Sequence, residues 1–391
     1  MSGGITTTPL LETARELRPR IIAQRDEIES GRRLPEALTR ELAQAGFFRA
    51  AVPAAYGGLD LSPPELLPVY EELARADASV AWCVWNGNTN WTTARLPTAT
   101  AQAVFGDPGV IVANSTRPSG QAVIVEGGYR VSGRWSLVSG CQLSTWLILL
   151  SNVFDGAEPR RLPSGAPEQR FMLFPTAAAE IVDTWTVGGL RGTGSHDVMV
   201  RDLFVPAAYA SFHSDPLVLT EPRYRCPPAS RISPGLGAMA LGIARSAIET
   251  LVGLAVEKRR MGAPDSLRHD WAAQTRLAQA EGLVRSARLY LHDAVRRLWG
   301  EILAGGDATN ELRADVRLAS WHAVNGAVQA VDLVYLTGAA TSLYTSCPIE
   351  RAFRDVHAIP QHHGVHPRGL ESVGQVLYGL EPERIPGVPP L

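Results

Sequence analysis

The spacing of apolar side chains divides the chain into three stretches. From Leu10 to about Phe105 apolar positions recur at helical intervals, as Leu17, Ile21, Ile22 and Ile28 do. Residues 35–45 read as a second helix, with Pro35 in its first turn and Gly46 as its stop. Residues 47–58 read as a loop, 63–76 as a third helix and 79–96 as an apolar, buried one. From about Val110 to Phe212 the pattern becomes strand-like, alternating over 130–137 and in part over 198–205, with short apolar runs elsewhere. Residues 121–125, 130–137, 146–150, 171–174 and 198–205 read as short strands between Gly, Pro and Asp turns, the pattern of a small barrel or sandwich. In the second of these, Val131, Gly133, Trp135 and Leu137 share one side. Helices return after Pro234, over 236–260, 270–303, 311–337 and near 372–378, with the lengths of a bundle.

The expected organisation is an α+β chain. An N-terminal helical domain covers 1–109 and a central β domain 110–212. A proline-rich linker covers 213–233, and a C-terminal helical bundle 234–391. Helices, then a β domain, then long helices is an uncommon order. There is no internal repeat and no low-complexity tract.

Composition narrows the function classes. The 391 residues carry 37 basic and 39 acidic side chains, a net charge of -2, which gives a nucleic acid no basic surface to bind. No apolar run reaches the roughly 18 residues of a membrane span, and residues 1–9 lack the basic and apolar regions of a secretory signal. Cys83, Cys141, Cys226 and Cys347 match no zinc or redox spacing and read as reduced, buried thiols of a cytoplasmic protein. His362, His363 and His366 lack a matching carboxylate pattern, so no metal site is expected.

The candidate chemistry lies in several blocks. Val187-Gly188-Gly189-Leu190-Arg191-Gly192-Thr193-Gly194-Ser195-His196-Asp197-Val198 is a glycine-rich loop before a strand, where backbone and hydroxyls can approach a ligand closely. His196 and Asp197 are neighbours on an extended strand and face opposite ways, which argues against a dyad. Gly128 to Trp135 leads to Ser139-Gly140-Cys141. Gly46-Phe47-Phe48-Arg49 lies upstream, and Lys258-Arg259-Arg260 and Phe353-Arg354-Asp355 lie downstream.

In this order and spacing the blocks resemble the acyl-CoA dehydrogenase superfamily over nearly the whole chain. That implies an N-terminal helical domain, a central β-barrel domain and a C-terminal four-helix bundle. Within the superfamily the chain resembles the two-component flavin-dependent monooxygenases. The dehydrogenases commonly carry a base glutamate before a glycine shortly after an Arg-Asp pair. Here Gly364 matches that glycine and His363 takes the glutamate's place, while spacing from Arg354 points to His362. Both histidines are kept as catalytic candidates, with His362 preferred, and His357 and His366 are expected to be structural.

The resemblance implies a reduced flavin, FMN or FAD, and molecular oxygen, with a C4a-hydroperoxyflavin attacking an aromatic, heteroaromatic or amine small molecule. Asn114 and Ser139 complete the implied catalytic group. Ser139, Arg191, Thr193 and Ser195 would contact the flavin, and Lys258, Arg259 and Arg260 its phosphates. Gly338, in a turn with Thr337 and Ala339, would complete a neighbour's flavin site in a homotetramer. Trp85, Asn86 and Asn88, with Asn90 and Trp91, would line the substrate pocket. No GxGxxG nicotinamide fingerprint follows a strand, so a separate NAD(P)H-dependent flavin reductase is the implied partner. Two other readings remain at this point: an acyl-CoA dehydrogenase with a displaced base, and a non-catalytic protein that kept the fold.

Overall fold

The computed structural model describes residues 8–89, 93–385 and 390–391, so Asn90 and Trp91 lie outside the described residues. Six helices come first: α1 (Pro9–Ala23), α2 (Arg25–Gly31), α3 (Glu36–Gln44), α4 (Pro63–Ala76), α5 (Ala78–Gly87) and α6 (Thr98–Phe105). Start signals act where the sequence places them. Ser62 and Glu65 form a capping box on α4, and the buried Asp77 carboxylate accepts from the Ser79 and Val80 amides at the head of α5. The expected helix over 79–96 is shorter: α5 stops at Gly87 and a 3-10 turn holds 93–95. The short helix α6 falls within the helical stretch that ends near Phe105, though the sequence marks no separate element there.

Eight strands follow: β1 (Val112–Val125), β2 (Gly128–Trp135), β3 (Trp146–Asp155), β4 (Glu158–Pro159), β5 (Gln169–Pro175), β6 (Glu180–Val182), β7 (Asp197–Pro206) and β8 (Ala210–Ser211). They make one sheet in the order β6-β7-β2-β1-β3-β5-β8, with β4 paired to β3. Among the described residues the ladder does not close, and the expected barrel is a sheet curled round its own core. Trp135, Leu147, Leu149, Met172 and Phe174 pack inside that curl. Ile148, Leu150, Phe171 and Leu173 point the other way, against Val104 and Phe105 of α6. Burial on both faces explains why 171–174 is apolar at every position. Leu137 leaves this pattern: it has a positive φ of 59° and is 45% exposed.

Five helices complete the chain: α7 (Pro228–Glu257), α8 (Trp271–Leu303), α9 (Asn310–Gly338), α10 (Pro348–Ala358) and α11 (Gly369–Leu377). The linker is shorter than expected, because α7 begins at Pro228 and runs through Pro234. A proline there costs one backbone hydrogen bond, and the turns on either side continue. α7 also ends earlier, at Glu257, so Lys258, Arg259 and Arg260 lie beyond the helix. By length and composition α7 could cross a bilayer. Its apolar surface instead forms the centre of the bundle, against α4, α8 and α9. The N-terminal and C-terminal helices share this one core, and all four cysteines are buried and unpaired.

Candidate active site

A cavity of about 250 Å³ opens where the sheet meets the helical body. α5 supplies Trp82, Trp85 and Asn86, three positions on one helical face. β1 supplies Asn114, the turn after β2 supplies Ser139, and the glycine-rich loop supplies Trp185, Leu190, Thr193 and Ser195. Ile232 comes from the first turns of α7, and His362 and His363 from the segment after α10. Among the described residues no aspartate or glutamate lines the cavity, and the one charged lining residue is the exposed Arg117.

The glycine-rich loop is held by contacts far away in sequence. The Leu190 amide donates to the Asp355 carboxylate of α10 at 2.6 Å. A Cβ at Gly189 would lie 2.2 Å from the Arg354 carbonyl oxygen, and one at Gly192 would lie 2.2 Å from Ile28. Only glycine admits these approaches. On the other side, the buried His196 accepts the Thr184 and Trp185 amides at its Nδ1, each at 3.2 Å. Burial holds His196 below the ordinary histidine range, so this imidazole is a neutral structural acceptor.

Hydroxyls run along the cavity wall in one direction. Thr193 Oγ1 donates to the Leu190 carbonyl at 2.8 Å, so its bond with Ser195 Oγ at 2.7 Å is donated by Ser195. The Ser139–Ser195 bond at 2.7 Å is then donated by Ser139, and Ser139 Oγ accepts from Trp82 Nε1 at 3.0 Å. The chain starts at an indole N–H and ends at a carbonyl. Asn86 Nδ2 donates to the Ser139 carbonyl at 2.8 Å. Asn114 gives its amide protons to the Asn86 carbonyl and Thr89 Oγ1, at 2.9 and 2.8 Å. Asn114 therefore positions its neighbours, and its amide N–H groups are already engaged.

His362 is clamped from both sides. The Gly364 amide donates to its Nδ1 at 3.0 Å, and Ser233 of α7 secures the same turn through the Gly364 carbonyl at 2.7 Å. Trp82 and Trp85 meet its ring edge-on, with centroids 5.8 and 5.5 Å away, and His363 stacks on it at 4.3 Å. Burial, then the charges of His363 and Arg117, hold His362 well below the ordinary histidine range, and burial lowers His363 as well. A neutral imidazole whose Nδ1 accepts must carry its proton on Nε2. His362 is thus a hydrogen-bond donor at Nε2.

Other expected site residues stand elsewhere. Arg191 turns away from the cavity, to Glu29 (3.3 Å) and to the Val187 carbonyl (3.2 Å), so it braces the loop. Asn88 caps the end of α5 and lies outside this cavity, on the wall of a smaller pocket beside it, where it binds the Phe47 and Val84 carbonyls and the Ala51 amide. Ile232 and Lys258 are 26 positions apart along α7, about 40 Å at helical rise. Lys258 bonds Thr341, and Arg260 pairs with Asp270 at 3.3 Å. Arg259 bridges Ser266, and Gly338 packs on Ser342 and Ile349. These four positions gather at the far end of the bundle, outside the cavity. His357 binds Asp332 and the Phe353 carbonyl, and His366 accepts the Arg368 amide. Trp82, Trp185 and Ile232 were not anticipated. Trp82 was within reach, since it stands three residues before Trp85.

Two family models match the chain: "Acyl-CoA dehydrogenase, N-terminal domain" over residues 8–102 and "Acyl-CoA dehydrogenase, C-terminal domain" over 235–367. The chain is 30% identical to an indole-3-acetate monooxygenase of Pseudomonas putida, over 88% of this chain and 86% of the relative. It is also 30% identical to the flavin-dependent monooxygenase oxygenase subunit HsaA of Mycobacterium tuberculosis, over 94% of each. The solved structure of XiaF from a Streptomyces species, in complex with FADH2 and glycerol, superposes with a TM-score of 0.88 at 26% identity. That match covers 98% of this chain and 97% of the other.

Proposed function

Because the chain belongs to the acyl-CoA dehydrogenase family, on its branch of flavin-dependent monooxygenases, we propose that the cavity holds a reduced flavin beside an aromatic or heteroaromatic substrate, with His362 as hydrogen-bond donor. The observation that carries this reading is a neutral imidazole, with its proton on Nε2, in a cavity whose described lining contains no carboxylate. Desaturation of an acyl thioester needs a base to remove the alpha proton. A donor-only edge suits oxygen transfer instead.

The residues present fit a flavin. Indole walls from Trp82, Trp85 and Trp185 offer flat apolar surface, and the Ser139–Ser195–Thr193 hydroxyls offer neutral polar contacts. When bound, the reduced flavin supplies the two electrons that let oxygen deliver one atom to the substrate. The chain's own part is to orient, to exclude water and to hold a proton. Ser139 gives its proton to Ser195 and accepts the Trp82 indole N–H, so one lone pair of its Oγ is left to accept from a ligand. The three indoles keep the site dry, and His362 Nε2–H is aimed by the Gly364 amide behind it.

FADH2 is the flavin we propose, supported by its complex with XiaF. The Lys258–Arg260 cations and the Gly338 turn cluster together, too far along the helix to serve their own cavity. That supports a homotetramer in which they hold the distal part of a neighbour's flavin. We further propose that a separate NAD(P)H-dependent reductase delivers the reduced flavin, and that the protein is cytoplasmic.

The test is to mix the protein with chemically reduced FAD, a phenol or indole, and 18O2. Product carrying 18O without added reductase is expected. If bound oxidised FAD were bleached by an acyl-CoA instead, with no 18O transfer to any aromatic, the reading would be wrong.

A further inference from the structure

A second pocket adjoins the cavity, and the reading above leaves it without a role. Its volume is about 50 Å³, room for a small polar group and not for an aromatic ring. The two spaces share Trp85, Thr89 and Ile232 as a common wall. Arg231 is set in the apolar lining of the smaller one, one residue before Ile232 in the first turn of α7. Among the described residues its guanidinium has no ion pair and no side-chain hydrogen bond, and its Nε is buried. Tyr224, 8% exposed, lines the same pocket, and its buried hydroxyl is also without a partner. The neighbouring cation Arg223 is already paired with Asp60. No acidic residue lines this pocket among the described residues.

An unpaired guanidinium in an apolar pocket is costly unless something compensates it. Three donors on this lining lack a partner among the described residues, Arg231 Nε, the Tyr224 hydroxyl and Trp85 Nε1, one of them charged, and an anionic acceptor would compensate that charge. The start of a thirty-residue helix adds positive potential at the same place. The pocket is too small for a phosphate ester with its substituent. A carboxylate matches: it is planar, takes a guanidinium bidentately and leaves an oxygen lone pair for a phenol.

We infer that the pocket lined by Arg231 and Tyr224 is an anion subsite, and that the substrate is an aromatic carboxylic acid. Its ring lies in the larger cavity beside His362, and its carboxylate reaches past Trp85 and Ile232 to Arg231. This rests on the oxygenase reading for the ring's position, but the anion subsite can be measured without turnover.

The experiment titrates the protein with indole-3-acetate and its uncharged analogue indole-3-acetamide, following tryptophan fluorescence, and then assays 18O transfer to each. The acid is expected to bind at least tenfold more tightly than the amide. Arg231→Met should bring the acid down to the amide's affinity, and Arg231→Lys should keep part of the preference. Tyr224→Phe should weaken the acid severalfold. Arg231→Met should also melt at a higher temperature, since it removes an uncompensated charge; a lower melting temperature would mean a structural partner for the guanidinium and would overturn the subsite. Equal binding of acid and amide by the parent protein would overturn it too, even with indoles oxygenated. Acid preference intact with no 18O transfer to either compound would leave the subsite standing and remove the oxygenase reading.

Discussion

Replacing His362 by alanine removes one donor from the reactive edge of the cavity and leaves the backbone turn in place. The geometry sets the size of the effect. Gly364 N lies 3.0 Å from Nδ1, so Nε2 carries the only proton of this imidazole. Loss of one preorganised donor from an enclosed site costs about 10²–10³-fold in rate, or about 2.7–4 kcal/mol. His362 is half-buried, which places the expected loss near the lower bound, about 10²-fold in product formed. Oxygen uptake would continue, so the electrons should appear as hydrogen peroxide. The assay is the ratio of peroxide to product per oxygen consumed, with chemically reduced FAD. His363→Ala should change this ratio much less. Because His362 is held well below the ordinary histidine range, the ratio should stay flat between about pH 6.5 and 8 and worsen only as pH falls through the depressed value. Parent-like coupling in His362→Ala, with His363→Ala impaired, would refute the assignment. So would coupling that titrates at the unperturbed histidine value.

Burial, with the nearby Asp77 carboxylate, pushes Asp355 up to about 7. Its folded form holds a proton that the unfolded form releases near pH 4, so this contribution to stability is complete below that pH and is lost as pH rises toward 7. Asp355→Asn should flatten the fall in urea-unfolding free energy between pH 4 and 7, by up to about 4 kcal/mol; an unchanged slope would contradict the burial argument. Trp135 is fully buried and donates from Nε1 to the Leu150 carbonyl at 2.6 Å, so Trp135→Ala should destabilise the protein by about 3–5 kcal/mol, measured by denaturant titration. Arg191→Ala should lower stability by about 1 kcal/mol through its lost bonds to Glu29 and Val187. Its flavin affinity should be nearly unchanged; a tenfold loss by equilibrium titration would return Arg191 to the flavin site. Trp82→Phe removes the N–H that begins the hydroxyl chain and should weaken flavin binding about fivefold, near 1 kcal/mol.

What the sequence determined by itself was local and periodic. Helical spacing and start signals placed α3, α4, α8 and α9 closely, because capping and amphipathic burial depend on residues a few positions apart. Alternation and short apolar runs located β2, β3, β5, β7 and the second half of β1, whereas β4, β6 and β8, two or three residues long, carry no such signal. The ordered blocks identified the family. The imidazole in place of a carboxylate was also legible, since it is a substitution within one short segment. Tertiary structure decided everything that depends on contacts between distant segments. Whether the sheet closes, where α7 starts across Pro234, and that Arg191 turns to Glu29 are set by packing partners remote in sequence. The same holds for the proton on His362 Nε2, which follows from a turn pinned by Ser233, 131 residues upstream of Gly364. The Arg231 pocket was invisible in the sequence for the same reason. An arginine becomes unusual only when folding brings apolar walls around it and no acid.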